Sequence, residues 1–176
     1  WTYGILTLHR PSNVDAPEAL AEILDAVREL AQILPIVFPC HPRTRQQIEK
    51  LRDKHLCIAT FPDHQAKQGR VLLTEPLGYL EFLSLMSEAR LVLTDSGGVQ
   101  EETTVLGIPC LTLRTNTERP VTIEQGTNTL VELSRDSILA AAAKTLSNTS
   151  QQSRRPDLWD GKAAERIAGI LVDRMT

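Results

Sequence analysis

The sequence predicts a doubly wound α/β domain, a parallel β-sheet covered by helices on both faces. Two observations carry the prediction. Short apolar runs alternate along the chain with stretches whose apolar residues recur every three or four positions, the pattern of repeated strand–helix–strand units. The runs themselves, such as Pro35-Ile36-Val37-Phe38 and Leu91-Val92-Leu93-Thr94, are apolar nearly throughout rather than alternating, as strands buried on both faces must be. Composition agrees: 176 residues, 41% hydrophobic and 23% charged, describe a globular chain with enough length for one core and exclude disorder.

Each element follows in order. Thr2–Leu8 reads as a strand that closes at His9-Arg10-Pro11. The first residue is Trp1, not Met, and the strand begins almost at once, so the expectation is a fragment or single domain of a longer protein. Asp15-Ala16-Pro17-Glu18 offers a helix start, with Asp15 as cap, Pro17 in the first turn and Glu18 three residues after the cap. Leu20, Ile23, Leu24, Val27, Leu30, Ala31 and Leu34 then repeat at helical spacing. Pro35–Phe38 is a strand closed by Pro39, and Arg43–Lys54 a helix. Residues 55–70 are mixed and polar, a loop around a short strand at Cys57–Ala59. Val71–Thr74 is a strand, and Tyr79, Leu80, Phe82, Leu83 and Met86 mark a helix. Arg90–Thr94 is a strand, Gly98–Leu106 a helix, Pro109–Leu113 and Thr129–Leu133 strands. Asp136–Leu146 and Gly161–Arg174 are helices, joined by a polar surface connection over residues 147–160.

Charge and cysteine exclude several classes. Nineteen basic and 22 acidic side chains give a net charge of −3, with no basic stripe of the kind that binds nucleic acid. Arg43, Arg45, Lys50 and Arg52 are interleaved with Glu49 and Asp53 and read as a solvated helix face. Cys40, Cys57 and Cys110 are odd in number without Cys-x-x-Cys spacing, so neither zinc nor a disulfide framework is expected. Cys40 and Cys110 sit in apolar runs as buried thiols. No run approaches the roughly 20 apolar residues of a membrane span. The expectation is a cytoplasmic protein without metal, cofactor or membrane partner.

A sheet of this class binds ligands at the carboxyl ends of its strands, so the turns there are the candidates. Leu91–Thr94 runs straight into Asp95-Ser96-Gly97-Gly98 and a helix. Two glycines admit a phosphate to the backbone, the first helical N–H groups are free, the dipole is positive there, and Ser96 adds a hydroxyl. Glu102, further along the helix, suits the hydroxyls of a ribose. Taken alone, the turn fits an anion site and a plain tight turn equally well. The chain has neither Gly-x-Gly-x-x-Gly nor a P-loop. His9 and His41 end the first two strands and suit acid–base or phosphate contacts, or purely structural roles. Arg119, in Thr117-Glu118-Arg119-Pro120, is a candidate diphosphate fork. Gly126-Thr127-Asn128 is a second small polar loop, and Tyr79, Phe82 and Met86 form a core stripe with one edge free to wall a base pocket. His55 and His64 read as surface residues.

Together these stretches resemble the C-terminal half of the non-hydrolysing UDP-N-acetylglucosamine 2-epimerases of bacteria and archaea. The resemblance rests on Leu8 through Asp15, His41-Pro42-Arg43-Thr44, Pro76-Leu77-Gly78-Tyr79 with Phe82, and Thr94 through Glu102. It continues in Leu106-Gly107-Ile108-Pro109, Arg114 through Pro120, Gly126-Thr127-Asn128 and Asp160-Gly161-Lys162-Ala163.

The resemblance implies a Rossmann-like domain, the C-terminal half of a GT-B type two-domain fold, spanning residues 1–176, with the N-terminal domain absent from the chain. It implies that Ser96, Gly97 and Gly98 hold a UDP diphosphate, that Glu102 holds the ribose, and that Arg119 stands near the phosphates. Pro76 and Phe82 would border the uracil, and His9 would lie beside the sugar-phosphate as a catalytic or positioning group. The family reaction eliminates UDP from UDP-GlcNAc to give 2-acetamidoglucal, then adds UDP back with C2 inverted to give UDP-ManNAc for polysaccharide biosynthesis. The family's main acid–base carboxylates belong to the N-terminal domain, so the fragment is expected to be inactive alone, and the full-length protein a homodimer. Arg10 and His41 match positions that touch a second, activating UDP-GlcNAc in some bacterial members. Their flanks here, His-Arg-Pro-Ser-Asn and Cys-His-Pro-Arg-Thr, depart from the patterns of those members. A hydrolysing epimerase that releases UDP and ManNAc, a GT-B glycosyltransferase donor domain and a non-catalytic nucleotide-binding module stay open as alternatives.

Overall fold

The first strand, β1 (Gly4–Thr7), lies between β2 (Ile36–Pro39) and β5 (Leu91–Thr94), parallel to both. The structure is a computed structural model that describes residues 2–51, 57–58, 71–148 and 155–175, with backbone alone at 57–58. The remaining strands are β3 (Cys57–Ile58), β4 (Val71–Thr74), β6 (Cys110–Leu113) and β7 (Asn128–Val131). Among the described residues they form one seven-stranded sheet in the order β3-β4-β2-β1-β5-β6-β7, and every pairing is parallel. The helices are α1 (Pro11–Val14), α2 (Pro17–Leu30), α3 (Pro42–Lys50), α4 (Tyr79–Ser87), α5 (Gly97–Leu106), α6 (Val121–Glu124), α7 (Arg135–Ser147) and α8 (Ala163–Met175). The fold is a Rossmann-like α/β sheet.

Strand alternation divides the core between the two faces. Leu6, Leu91, Leu93, Leu111 and Leu113 point to one face and pack with Leu20, Ile23, Leu24 and Val27 of α2 and Ile138 and Ala142 of α7. Ile5, Val92 and Cys110 point to the other and pack with Met86 of α4 and Val99 of α5. This is why the strands carry no polar face. Burial pushes the thiols of Cys40 and Cys110 up to about 12, which leaves both protonated and inert.

The chain builds from β1 outward through β2 and β4, then returns to place β5 on β1's other side. Thr7 pairs with Thr94 in register. The turns that follow β1 and β5 therefore leave the sheet side by side, at the reversal of strand order where such sheets form their ligand crevice.

Several local expectations are corrected. Asp15 does not cap α2. Pro11 starts the short helix α1, whose C-cap is Asp15, and Ala16 takes the cap position of α2 without a side-chain bond. The Asp15 carboxylate instead pairs with Arg43 at 2.5 Å. The one-turn helices α1 and α6 were not expected, because four residues are too few to show a helical period. The helix expected to reach Lys54 ends at Lys50 with Leu51 as its C-cap. The last strand runs over Asn128–Val131, one residue earlier than expected at its start and two at its end. Cys57–Ile58 is a strand as expected. His55, His64, the Cys57 thiol and residues 149–154 of the polar connection lie outside the described residues.

Candidate functional site

β5 ends at Thr94 and α5 starts at Gly97, so Ser96 is the cap residue between them. Its backbone is extended, at φ −83 and ψ 132, and its hydroxyl accepts a long bond from Val99 N at 3.5 Å. A hydroxyl that accepts can still donate outward. Neither Gly97 nor Gly98 has a positive φ, the described glycines with one being Gly107 and Gly161. A Cβ on Gly97 would meet nothing within 4 Å, and one on Gly98 only Ser96 Oγ at 4.0 Å. The fold itself therefore does not require glycine at either place. What the pair provides is a bare helix start, open to close approach from outside. Gly126 is the opposite case: its Cβ would strike Thr122 O at 2.4 Å, so that glycine serves packing.

Asp95 is the hub of the site. Its side chain is fully buried, while the His9 side chain is 53% exposed, and His9 Nδ1 lies 2.9 Å from Asp95 Oδ1. The same carboxylate accepts from His9 N at 3.1 Å, Arg10 N at 3.0 Å and Asn13 Nδ2 at 3.3 Å. Asn13 Nδ2 also donates to Leu113 O at 2.9 Å, and Arg10 Nε donates to Asp95 O at 3.0 Å. The ends of β1, β5 and β6 are thus tied through one carboxylate. Its buried charge is offset by these donors and by the adjacent positive end of α5.

The loop after β6 is pinned in the same way. Arg114, nearly buried, forks onto Glu118 at 2.7 and 2.8 Å and reaches Asn116 at 3.2 Å. Arg10 adds a longer contact to Glu118 at 3.5 Å. The Arg114 fork, the Glu118 backbone N–H and the Arg10 charge hold the Glu118 carboxyl down at about 2. Thr117 Oγ1 donates to Gln100 Oε1 at 2.6 Å, and Gln100 Nε2 donates to Ser96 O at 3.1 Å. Arg119 Nε lies 2.6 Å from Glu101 Oε1, a charge contact without hydrogen-bond alignment, since the same Nε is buried with no hydrogen-bond partner.

The candidate residues divide accordingly. His9, Arg10, Ser96, Gly97 and Gly98 meet at the β1–β5 reversal. Glu102 lies further along α5, where burial raises its carboxyl above the usual range, a hydrogen bond from Tyr79 opposes that, and Glu101 adds to it. Arg119 is drawn onto Glu101 rather than onto the cap residue. Phe82 is half-buried against the α4–α5 face of the core, and Pro76 is exposed in the loop before α4. His41 is exposed and caps α3, its Nδ1 accepting from Arg43 N at 3.3 Å. Gly126-Thr127-Asn128 is a strut beneath α5, with Asn128 Nδ2 bonded to Gln100 O and Thr104 Oγ1. A groove of about 560 Å³ along α4, lined by Tyr3, Leu80 and Leu85 among others, contains none of these residues. Its Tyr3 hydroxyl donates to Leu85 O at 2.7 Å.

Sequence reasoning missed the roles of Asp95, Asn13, Gln100, Arg114 and Glu118. Asp95 and Asn13 bond residues far away in the chain, Gln100 joins the near Ser96 to Thr117, and Arg114 and Glu118 pair four residues apart within a loop. Asp95, directly after an apolar run and before a helix cap, was the one local signal. Among the described residues no group of three or more His, Cys, Asp or Glu side chains is arranged to hold a metal ion, and no helix is long and apolar enough to cross a membrane.

The profile of a family described as UDP-N-acetylglucosamine 2-epimerase matches residues 2–172. The chain is 41% identical over 172 residues to the UDP-N-acetylglucosamine 2-epimerase of Methanocaldococcus jannaschii, covering 97% of this chain and 44% of that protein. It is 39% identical over 169 residues to the UDP-2,3-diacetamido-2,3-dideoxy-D-glucuronate 2-epimerase of Pseudomonas aeruginosa, covering 96% and 44%. The crystal structure of the M. jannaschii enzyme in complex with UDP-GlcNAc and UDP is similar at a TM-score of 0.79, covering 97% of this chain and 45% of that one. The chain spans less than half the length of the curated relatives it matches.

Proposed function

The chain belongs to the UDP-N-acetylglucosamine 2-epimerase family, a family of isomerases, and from that premise we propose that it is the UDP-binding C-terminal domain of a non-hydrolysing 2-epimerase. The observation that carries the reading is the bare start of α5. Gly97 and Gly98 have no structural reason to be glycine, and they stand at the strand reversal beside His9.

The proposed chemistry is an elimination and a re-addition. The C2 proton leaves the sugar as the C1–O bond to UDP breaks, giving 2-acetamidoglucal and free UDP. UDP then adds back at C1 as a proton arrives at C2 from the opposite face. Both steps develop charge on the diphosphate, which the α5 N–H groups and the Ser96 hydroxyl meet without reorganising. Arg119, released from Glu101, adds a positive charge. His9 stands beside the sugar-phosphate, and Glu102, steadied by Tyr79, accepts from the ribose hydroxyls. Pro76 and Phe82 border the uracil. The carboxylates that move the C2 proton belong to an N-terminal domain outside this chain, so the chain alone does not turn over. Homodimerisation, a cytoplasmic setting and a place in polysaccharide biosynthesis belong to the same reading of the full-length protein. The two relatives are named for different sugars but share UDP and epimerisation at C2. UDP is the part common to both, and UDP-GlcNAc is the substrate proposed here.

Calorimetric titration of UDP into the 176-residue chain tests the reading. Saturable binding is expected, weakened about tenfold or more by Ser96→Ala, Glu102→Ala and Arg119→Ala, since a hydrogen bond to a charged group contributes about 1.5–3 kcal/mol. With the full-length gene product, UDP-ManNAc should appear from UDP-GlcNAc, whereas free ManNAc would mark a hydrolysing enzyme. Absence of UDP binding to both the folded chain and the full-length protein would overturn the nucleotide assignment.

A further inference from the structure

We propose that Asp95 is the positioning residue of the site, holding His9 as the Nδ1–H tautomer so that Nε2 presents its lone pair to the ligand. The inference rests on the reading of His9 as a ligand-facing group, and it assigns the residue that aims it.

The Asp95 carboxylate is fully buried, and its oxygens accept from His9 N, Arg10 N and Asn13 Nδ2. An ionised carboxylate accepts only. The imidazole nitrogen facing it, Nδ1, lies at 2.9 Å, where an unprotonated nitrogen would set lone pair against lone pair, so the proton belongs on Nδ1. In a neutral imidazole the second nitrogen is then an acceptor. Two backbone donors from the same turn, His9 N and Arg10 N, end on the same carboxylate, so main chain and ring are fixed together. Asp95 also directly precedes Ser96, the cap of α5. One residue thus aims the imidazole and begins the anion-binding turn, which sets His9 in a fixed relation to whatever the helix start holds. An imidazole without such a partner prefers the Nε2–H tautomer, so the geometry reverses the ordinary preference.

Asp95→Asn separates aiming from packing. The amide must turn its NH2 toward one set of donors. Arg10 N cannot become an acceptor, and Asn13 is held by its second bond to Leu113 O. His9 Nδ1 is the partner that can, by moving its proton to Nε2. The variant is therefore expected to switch the tautomer rather than only loosen the turn.

The test is long-range ¹H–¹⁵N NMR of the histidine rings in the 176-residue chain in mildly alkaline solution, with His9 assigned by loss of its signals in His9→Gln. The unsubstituted chain should show Nδ1 at the shift of a protonated nitrogen and Nε2 at that of an unprotonated one. Asp95→Asn, folded by circular dichroism, should reverse the pair. An Nε2–H signature for His9 in the unsubstituted chain would overturn the proposal, whether or not the variant folds. So would an unchanged Nδ1–H signature in a folded Asp95→Asn. The readout needs no nucleotide, so loss of UDP binding with the Nδ1–H signature intact would count against the nucleotide reading and leave this inference standing.

Discussion

Thr117 and Gln100 are joined by a 2.6 Å hydrogen bond between Thr117 Oγ1 and Gln100 Oε1. The other end of the same amide donates to Ser96 O, so the loop that carries Arg119 and the cap of α5 are set by one fully buried side chain. Replacing Gln100 with Leu leaves Ser96 O and Thr117 Oγ1 without this partner. The expected cost is about 1–3 kcal/mol, read as a lower urea midpoint at an unchanged slope, together with weaker UDP binding as the loop drifts.

Glycine substitutions should separate function from packing. Gly97→Ala and Gly98→Ala place a methyl in open space and favour the helix, so stability should hold or rise by up to about 1 kcal/mol. On the proposed reading the methyl would stand where the diphosphate approaches, so UDP affinity should fall by about tenfold, or about 1.4 kcal/mol. Gly126→Ala should do the reverse. Its methyl meets Thr122 O and Thr104, at an expected cost of about 1–3 kcal/mol. Paired unfolding curves and UDP titrations read both quantities, and destabilisation by Gly97→Ala would remove the argument for an open helix start.

The Arg114–Glu118 fork fixes an acid limit. The Glu118 carboxyl is lowered from 4.5 to about 2, first by Arg114. A depressed folded-state value means that the contribution is fully present above about 4.5 and is lost as pH falls toward about 2. The Tm difference between the unsubstituted chain and Glu118→Gln should be constant at neutral pH, shrink below about 4.5 and vanish near about 2. A difference that persists below that range would mean that the glutamate acts by shape rather than charge.

Glu102 should give UDP binding a pH dependence of its own. Burial raises its carboxyl and the Tyr79 hydroxyl counters that rise. A protonated Glu102 is a poorer acceptor for ribose hydroxyls, so UDP affinity should fall as pH drops through this raised value. Tyr79→Phe removes the bond that favours the anion and should move the fall to higher pH, while Glu102→Gln should flatten it. Titrations across the acid range check the order of the three curves.

The strands and long helices were legible because each is a local pattern. Leu91–Leu93 is apolar on both sides because both faces of the sheet are covered, and α2 shows its buried stripe from Leu20 to Leu30. The Ser96-Gly97-Gly98 turn was legible for the same reason, since cap and glycines are neighbours in sequence. Asp15 misled because an Asp followed by Pro17 and Glu18 is a sound cap signal on its own. The unforeseen turn α1, closed by Asp15, moved the cap to Ala16, and Arg43 took the carboxylate.

By itself, then, the sequence determined the alternating α/β architecture and the helix start that suits an anion. These follow from hydrophobic period and backbone chemistry, which act over a few residues. Only the tertiary structure decided that the turns after β1 and β5 leave the sheet together, that Asp95 rather than a nearer group faces His9, and that Arg119 rests on Glu101. Those relations join residues far apart in the chain, and they exist because a parallel sheet must carry its chain back across the fold before the next strand can pair.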